Sequence, residues 1–341
     1  MIPGWYVACR SDRLRRVPYA MTIWGQPLVL FRDARGRIGC LEDRCPHRGV
    51  QLSKGKVRED GVECPYHGWR FGHGGDCVAI PSLADAEASL HRYDVRSYPV
   101  CEKQGFVWVY VGGEEPRGEP FHLPHLGEGG WRHVVVRSSL RASLASVIEN
   151  IIDCTHTGYI HGGLFRSPAS HSVDAVVESD ARHVSIVLDE KGTSESLLSK
   201  LFVREGRPVE HVDSFFMPSI VQVHYRFGPG REILGIHFCT PVTERLTIDH
   251  VNLIWTMAPV TSLLAPLMPV AARIVMRQDI WILENQARQL QRFGERFMSV
   301  PADAGVNRIR TLLRRGRIDG HSSDGGHDSS IFRRIRVSFR L

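Results

Sequence analysis

Two short segments each bring one cysteine and one histidine into a loop. The first, CPHRG, supplies Cys45 and His47, and the second, CPYHGW, supplies Cys64 and His67. Two thiolates and two imidazoles can hold a tetrahedral zinc ion, or a [2Fe–2S] cluster with both cysteines on one iron and both histidines on the other. A zinc finger takes its cysteines from one hairpin and its histidines from one helix. Because each segment here supplies one ligand of each kind, the spacing favours the two-iron cluster.

A second candidate site lies in the segment ENIIDCTHTGYIH. Its polar side chains are Asn150, Asp153, His156 and His161. A helix would place the first three on one face, whereas His161 can join His156 only if the helix bends or ends between them, as Gly158 would permit. Two converging imidazoles and one carboxylate are typical ligands of non-haem iron(II). The alternative is a pair of hydrogen-bonded histidines on a buried helix.

The first motif, C-x-H followed by C-x-x-H, resembles that of Rieske iron–sulfur proteins. Rieske proteins of respiratory complexes also carry two cysteines that join the loops by a disulfide, and Val50 and Tyr66 stand at those positions here. Because it lacks this disulfide, the chain resembles the low-potential Rieske domains that supply electrons to oxygenases. Arg48 and Trp69, next to the ligands, are candidates for tuning the histidines, and ordinary packing is the alternative for both.

The chain resembles Rieske non-haem iron oxygenases over residues 4–316. The second segment matches their signature N-x-x-D-x-x-H-x-x-x-x-H, and RQDIWILENQ is similar to the D-x-x-x-x-E-x-Q segment of the vanillate demethylase and phthalate dioxygenase subgroup. In that family the third iron ligand is an aspartate on a long helix near the C-terminus. The resemblance therefore implies a mononuclear iron held by His156, His161 and Asp279, with Glu284 as the less favoured third ligand. A solvated surface aspartate is the alternative for Asp279.

The same resemblance implies an activity. Family members are terminal oxygenases that use O2 as co-substrate and receive NAD(P)H electrons through a separate flavin reductase, a ferredoxin or both. No G-x-G-x-x-G motif opens a βα unit in this sequence, so the chain itself is not expected to bind the nicotinamide. The subgroup favours monooxygenation of a small organic molecule, by hydroxylation or by O- or N-demethylation. Ring cis-dihydroxylation is the alternative within the family, and Rieske electron transfer without catalysis is the alternative outside it.

A head-to-tail homotrimer with an electron path between subunits is also implied. In that arrangement His67 of one subunit approaches the iron site of the next, where Asp153 bridges it to His156. A carboxylate between two metal-bound imidazoles accepts both outer N–H groups and fixes both tautomers. Asn150 is assigned either to support this network or to face the active site.

The substrate pocket is expected to lie against the sheet of the second domain. Its predicted lining consists of Phe215, Met217, His237, Trp255 and Met257. Ordinary core packing is the alternative for each of them. Apolar side chains with a histidine among them would admit an aromatic acid, an alkaloid or another heterocycle.

Two differently built domains are needed to position these sites. Residues 1–118 contain short apolar runs separated by Gly, Asp and Pro, which predicts an all-β Rieske domain. The segment GGEEPRGEPFHLPHLGEGG marks the domain boundary. Residues 119–316 combine a helix over 144–158, long strands with a GPG hairpin turn, and a helical stretch over 263–297. The fold class is thus α+β, and the resemblance implies a helix-grip (Bet v1/START-like) catalytic domain with an antiparallel sheet.

Positive charge is concentrated at the C-terminal end. Residues 306–341 hold nine Arg and three Asp, so they account for the whole net charge of +6. Residues 317–341 begin with a Gly-, Ser- and Asp-rich stretch. This composition predicts a disordered basic tail rather than a nucleic-acid-binding face. A zinc-stabilised nucleic-acid binder would use that tail, and it is the remaining alternative for the first motif.

The overall composition, 43% hydrophobic and 23% charged, is that of a globular protein. No segment approaches the ~20 apolar residues needed to span a bilayer. The first residues, MIPGWYVACRSD, lack the basic and apolar regions of a secretory signal. Eight cysteines in 341 residues are too few for a disulfide scaffold. We therefore expect a cytoplasmic location and no membrane partner.

Overall fold

The computed structural model describes residues 1–84, 89–113, 115–162, 172–190, 209–257, 263, 265–319 and 332–340. The chain divides into two compact units, Met1–His122 and Leu123–Leu341. This boundary and the predicted one, at residue 118, both lie in the Gly-, Pro- and Glu-rich segment over 112–130. None of the helices in the described ranges combines the length and the hydropathy that a membrane crossing requires.

The first unit consists of short strands in three antiparallel sheets, as predicted for a Rieske domain. The strands are β1 (Gly4–Arg10), β2 (Tyr19–Ile23), β3 (Gln26–Arg32), β4 (Ile38–Glu42), β5 (Lys56–Val57), β6 (Val62–Glu63), β7 (Arg70–Phe71), β8 (Cys77–Ala79), β9 (Val100–Lys103) and β10 (Phe106–Val111). Their orders are β1-β10-β9, β2-β3-β4 and β5-β6-β7-β8. The last of these sheets carries one of the two Cys/His loops, between β6 and β7.

An apolar core lies beneath both Cys/His loops. The first loop follows β4 and the second joins β6 to β7. Phe31, Leu41 and Phe71 are fully buried in this core, and the side chains of Cys45 and Cys64 belong to the same cluster. Because buried side chains of this size are held by close packing, the base of each loop is fixed while its tip stays free.

The second unit is built on one eight-stranded antiparallel sheet, which confirms the predicted fold class. The strands are β11 (Arg132–Leu140), β12 (Ser172–Ser179), β13 (His183–Glu190), β14 (Val209–Phe216), β15 (Ile220–Arg226), β16 (Arg231–Thr243), β17 (Leu246–Met257) and β18 (Arg333–Arg340). Their order is β11-β17-β16-β15-β14-β13-β12-β18. The predicted GPG hairpin joins β15 to β16, where Phe227 N donates to Arg231 O at 2.9 Å.

One face of this sheet, called the inner face below, is covered by helices. The helices are α1 (Leu144–Ile152), α2 (Thr157–Ile160), α3 (Met268–Phe293) and α4 (Ala304–Asp319). Thr247 Oγ1 of β17 donates to the carbonyl of Ala142, just before α1, at 3.1 Å. Arg308 Nε of α4 donates to Ser179 Oγ of β12 at 2.8 Å. Residues in register with Thr247 and Ser179 on this face therefore point toward the helices.

The long helix α3 is shorter at both ends than the predicted stretch over 263–297. Pro269 stands in its first turn, where a missing backbone N–H costs no hydrogen bond. Gly294 ends it with φ +75°, a conformation that favours glycine.

The C-terminal tail is not disordered throughout, contrary to the prediction for 317–341. Helix α4 continues to Asp319, and Arg333–Arg340 forms β18, which pairs with β12 along its whole length. The sequence RRIRVSFR alternates apolar and polar residues, so Ile335, Val337 and Phe339 share one face of the strand. The arginine-rich composition masked that period of two. The rest of the predicted tail, 320–331 and 341, lies outside the described residues.

Candidate metal centres

The two Cys/His loops have the same backbone fold. In each, the cysteine carbonyl accepts a hydrogen bond from a glycine N–H four residues later: Gly49 N to Cys45 O at 2.9 Å, and Gly68 N to Cys64 O at 3.2 Å. These glycines have φ +73° and +71°, the left-handed conformation that non-glycine residues rarely adopt. The two loops therefore form the same type of turn, and the cysteine stands at the same position in each.

The side chains of the two loops converge. The rings of His47 and His67 lie 4.5 Å apart between centroids, and the indole of Trp69 stacks parallel on His47 at 4.7 Å. Burial, and then the hydrogen bond with the Cys64 thiol, raises the pKa of Cys45 to about 11. The structure therefore brings the two predicted cysteines close to each other and the two predicted histidines close to each other, and it places Trp69 directly against His47.

The chemistry of these donors fits a [2Fe–2S] cluster. His47 Nδ1 is buried and has no hydrogen-bond partner among the described residues. Both cysteines are free thiols, which a bound metal would deprotonate. Burial, and then the neighbouring His67 and Arg48, lowers the pKa of His47, so its nitrogens stay available as ligands. Arg48 itself is exposed.

The second predicted segment departs from its expected helix. Helix α1 ends at Ile152, and Asp153 caps it with ψ 101°. Asp153 Oδ1 accepts hydrogen bonds from Thr155 N at 2.8 Å and from Thr155 Oγ1 at 2.6 Å. A short acidic side chain that binds the backbone two residues ahead competes with helix continuation. The prediction of one helix over 144–158, which would bend or end between His156 and His161, was therefore wrong.

A single helical turn brings the two histidines together instead. His156 precedes α2 and His161 follows it, so Gly158 lies inside the turn rather than at a bend. The two Nε2 atoms are 3.3 Å apart. Since the turn is only four residues long, both imidazoles stay on the same side of it.

Asp279 of α3 completes this group. Its Oδ1 lies 3.1 Å from His161 Nε2 and 3.5 Å from His156 Nε2. One donor atom from each of the three residues falls within 4.8 Å of the others, and Glu284 is not part of this group. The arrangement is a two-histidine, one-carboxylate set with its donor atoms facing a common point.

Hydrogen bonds on the far side of each ring fix its tautomer. His161 Nδ1 donates to Gln278 Oε1 at 2.8 Å, and His156 Nδ1 donates to the backbone carbonyl of Asp153. Since both partners are oxygens that can only accept, each ring carries its proton on Nδ1 and turns an Nε2 lone pair toward Asp279. The sequence analysis missed Gln278, although a polar residue next to a predicted ligand was the available signal.

Comparison with known proteins agrees with this geometry. Residues 4–99 match the Rieske [2Fe-2S] domain, and residues 140–317, more than half of the chain, match the vanillate O-demethylase oxygenase C-terminal domain. The chain belongs to this family of Rieske oxygenases. It therefore has the two metal centres of the family, a [2Fe–2S] cluster and a mononuclear iron.

Relatives of this Rieske oxygenase differ in the activities for which they are named. The 4β-methylsterol monooxygenase of Methylococcus capsulatus is 33% identical over 254 residues, which are 71% of this chain and 65% of the relative. The vanillate O-demethylase oxygenase subunit of a Pseudomonas species is 27% identical over 346 residues, 92% of this chain and 93% of the relative. The crystal structure of dicamba monooxygenase bound to dicamba has the same fold, with a TM-score of 0.79 at 22% identity over 94% of this chain and 98% of that one.

The electrostatics of the Rieske oxygenase's mononuclear site favour a cation. Burial opposes ionisation of Asp279, but the neighbouring imidazoles of His156 and His161 outweigh it and lower its pKa to about 2. Burial also opposes protonation of His156, but the neighbouring carboxylates of Asp279 and Asp153 outweigh it and raise its pKa. Asp279 Oδ1 is buried and makes no hydrogen bond of ordinary geometry within the described residues. A negative oxygen between two nitrogen lone pairs is satisfied by a metal ion, so the donor set fits iron.

The two other predicted catalytic residues precede the histidine turn. Asp153 is half-buried, and one of its oxygens is held by Thr155. Asn150 is half-buried in the last turn of α1, and the structure does not place it in the metal group.

Four of the five predicted pocket residues share the inner face. Phe215, His237, Trp255 and Met257 are buried there. Phe215 and His237 both pair with Val221 of β15, and Trp255 and Met257 lie on the same face of β17. Met217 is half-buried and follows the end of β14. Trp255 and Met257 pack with Met268 at the start of α3. The sequence analysis missed Asp249, whose carboxylate lies 2.7 Å from His237 Nδ1.

Proposed function

We propose that the protein is the terminal oxygenase of a multicomponent Rieske system that inserts oxygen from O2 into a small organic substrate. The observation that carries this proposal is the triad of His156, His161 and Asp279, whose three donors face one point with both imidazoles in the metal-binding tautomer. Iron(II) bound there would supply O2 activation, because three protein ligands leave coordination positions open. Electron transfer without catalysis explains the Cys/His loops but gives no reason for this triad.

The protein residues have three tasks in this proposal. Gln278 and the Asp153 carbonyl hold the two rings in orientation, so that the site keeps its shape between turnovers. Burial of His161, which is 3% exposed, keeps bulk water from the ligands. Phe215, Met217, His237, Trp255 and Met257 would surround the substrate and aim one of its atoms at the site.

Monooxygenation is the favoured reaction, by hydroxylation or by O- or N-demethylation. The support is the match to the vanillate O-demethylase oxygenase C-terminal domain over residues 140–317, together with two relatives that are named for monooxygenation and O-demethylation, the sterol monooxygenase and the vanillate demethylase. A relative from Comamonas testosteroni, a 3-chlorobenzoate-3,4-dioxygenase oxygenase subunit, keeps cis-dihydroxylation as the second candidate.

Electrons would come from NAD(P)H through a flavin reductase, a ferredoxin or both, and would cross between subunits of a homotrimer. His67 is exposed at the tip of its loop, as a side chain that meets another subunit must be. The bridge differs from the predicted one, because the backbone carbonyl of Asp153, and not its carboxylate, accepts from His156 Nδ1. One carboxylate oxygen is held by Thr155, and the other would be left to accept from the incoming His67. The eight free cysteines fit a reducing compartment, and we place the enzyme in the cytoplasm.

Iron analysis and oxygen consumption test the proposal together. We expect about three iron atoms per chain, two in the cluster and one in the triad. With a surrogate reductase, O2 consumption should rise when a substrate from a panel of methoxy-, N-methyl- and methyl-aromatic compounds is present. Two iron atoms per chain with no substrate-dependent O2 consumption would support an electron carrier instead.

The bridge has its own variant. Asp153→Ala should retain both metals, because the Asp153 contribution to His156 is made by the backbone carbonyl, and it should abolish turnover. Asp12→Ala, which removes an exposed aspartate, is the matched control and should change neither. Full turnover in Asp153→Ala would reject the bridge.

A further inference from the structure

Three rings in contact, called the aromatic row below, run from one cluster ligand toward the surface of the first unit. The indole of Trp69 lies parallel to the His47 ring with 4.7 Å between centroids, and the Tyr93 ring meets the indole edge-on at 5.1 Å. Trp69 is buried and Tyr93 is half-buried. The guanidinium of Arg92 lies over the Tyr93 ring, 4.6 Å from its centroid, and is exposed. The aromatic row therefore connects a predicted iron ligand to an exposed cation.

Packing alone does not account for the indole in this row. Trp69 Nε1 is buried and makes no hydrogen bond to any residue that the structure describes. A buried donor without an acceptor is unfavourable, and a phenylalanine ring would fill much of the same space without that cost. What the indole adds is a large π system in parallel contact with a metal ligand. Such contact couples the cluster electronically to the protein beyond it.

The more exposed ligand is already used in the proposed function. There, His67 meets the next subunit, so the electrons that reduce the cluster again need a second route. Electron transfer slows steeply with distance, and a donor protein must therefore dock close to one of the two histidines. His47 is the other histidine, and Trp69 covers its ring. The outer end of the aromatic row, at Tyr93, is a place where a donor can come close to that side of the cluster.

The charges at the two ends of the aromatic row favour an acidic partner. Arg48, next to His47, and Arg92, over Tyr93, are both exposed. Neither guanidinium forms an ion pair with a carboxylate of the described residues. Asp94, the acid nearest to Arg92 in the sequence, has one oxygen held by the backbone N–H of Cys77 at 2.8 Å. Exposed cations without partners attract a negatively charged protein and orient it as it docks.

We propose that Trp69 and Tyr93 form the route by which electrons enter the cluster. The donor that docks against Arg48 and Arg92 is then an acidic one-electron carrier of the [2Fe–2S] ferredoxin type. One electron leaves the reduced donor and one reaches the cluster, no bond forms or breaks, and the two rings mediate the transfer without being oxidised. The inference rests on the proposed function and deepens it, because electrons enter past Trp69 and leave at His67.

Stopped-flow reduction of the oxidised cluster tests the proposal without turnover. The probe is a reduced plant-type [2Fe–2S] ferredoxin, an acidic carrier whose potential lies below that of Rieske clusters. It is mixed anaerobically with the full-length, cluster-loaded enzyme in the absence of substrate. The rate of reduction rises with ferredoxin concentration to a limit, so each variant yields a limiting rate of electron transfer and an apparent affinity for the donor. Voltammetry of each variant shows whether the potential of its cluster has changed.

Paired variants separate the two routes. Tyr93→Leu should lower the limiting rate several-fold at an unchanged potential, whereas Tyr93→Phe, which keeps the ring, should be reduced as fast as the wild type. The matched control is Tyr66→Leu, because Tyr66 is an exposed ring beside the other ligand, with 3.9 Å between its centroid and that of His67. Tyr66→Leu should leave the limiting rate unchanged.

Charge variants test the docking surface. Arg92→Gln should weaken the apparent affinity for the ferredoxin about 2- to 10-fold at low ionic strength, and the difference should vanish in about 1 M salt, where the Debye length is about 3 Å. Arg96→Gln is the matched control. Arg96 is also exposed over a tyrosine, Tyr98, but the hydroxyl of that tyrosine contacts Gln26 and its ring is not part of the aromatic row. Arg96→Gln should keep the wild-type affinity and limiting rate.

Four outcomes would overturn the inference: wild-type enzyme that the ferredoxin does not reduce, Tyr93→Leu that is reduced as fast as the wild type, Tyr66→Leu that is slowed as much as Tyr93→Leu, or Arg92→Gln that binds the ferredoxin as tightly as Arg96→Gln. Because Arg92 is exposed, the last comparison decides the matter even if Tyr93→Leu loses its cluster. The oxygenase function is judged separately, by iron content and by O2 consumption. Any of these four outcomes in an enzyme that consumes O2 with substrate rejects only the entry route. A chain without the triad iron rejects the oxygenase, whichever variant is reduced slowly.

Discussion

Removal of the Gln278 side chain tests the tautomer control most directly. In Gln278→Ala, the Nδ1–H of His161 loses an acceptor at 2.8 Å. His161 is 3% exposed, so bulk water cannot easily replace that acceptor. The proton of His161 is then free to move from Nδ1 to Nε2, where it occupies the lone pair that would bind iron. Loss of such a supporting hydrogen bond lowers metal affinity about 10- to 100-fold, or about 1.4–2.7 kcal/mol.

Competition with a calibrated iron(II) chelator under anaerobic conditions would measure this loss, on protein whose cluster is intact by its visible absorption. Gln278→Glu should restore most of the affinity, because a carboxylate accepts the same hydrogen bond. Gln289→Ala, an exposed glutamine on the same helix, should bind iron as the wild type does. An affinity for Gln278→Ala within twofold of that of Gln289→Ala would refute the reasoning.

Three further predictions concern the triad, the cluster loops and the support of α1. Asp279→Ala should lower the iron content from about three to about two atoms per chain, whereas Glu284→Ala should leave it at about three; the reverse result would move the third ligand to Glu284. Gly49→Ala and Gly68→Ala should each cost about 1–2 kcal/mol in urea unfolding because of their positive φ. Gly68→Ala should cost more, since its Cβ would meet Pro81 Cγ at 3.2 Å, and equal costs would count against this contact. Arg310→Met should cost about 3 kcal/mol at pH 7.5, because it leaves the buried carboxylate of Glu149 unpaired.

The last variant has a defined pH dependence. Burial raises the pKa of Glu149 even with Arg310 beside it, so the folded chain binds this proton more readily than the unfolded chain does. The unfavourable effect of the carboxylate is therefore absent at low pH and grows as the pH rises through the folded pKa. The cost of Arg310→Met should shrink between pH 7.5 and pH 5, and a cost that stays constant or grows toward acid would contradict this sign.

The cluster ligands could be predicted from the sequence because each pair is local. Cys45 with His47, and Cys64 with His67, lie within four residues of each other, so their spacing alone limits the possible metal group. Asp279 could not be found in that way, because it is far from the histidines in the sequence. Gln278, the residue before it, is 117 positions from His161. The resemblance of RQDIWILENQ to known oxygenases supplied it. In the structure, Asp279 and Leu283 both lie on the buried side of α3.

Two local errors have specific physical causes. The helix over 144–158 was predicted from its apolar period, but the Asp153 side chain offers Thr155 a hydrogen bond that ends the helix. The tail was predicted to be disordered from its Gly-, Ser- and Asp-rich composition, although Ile335, Val337 and Phe339 alternate with polar residues. The acid–histidine pair of His237 and Asp249 could not be read from the sequence at all, because it depends on the register of two neighbouring strands.

The twin loops of the first unit hold their histidines unequally. His47 follows its cysteine by two residues and is enclosed beneath an indole, whereas His67 follows by three and reaches the surface. Two equally exposed histidines would give electrons two equivalent routes out of the cluster. In the proposed electron transfer, the exposed His67 would therefore give the cluster its shorter route to a partner protein.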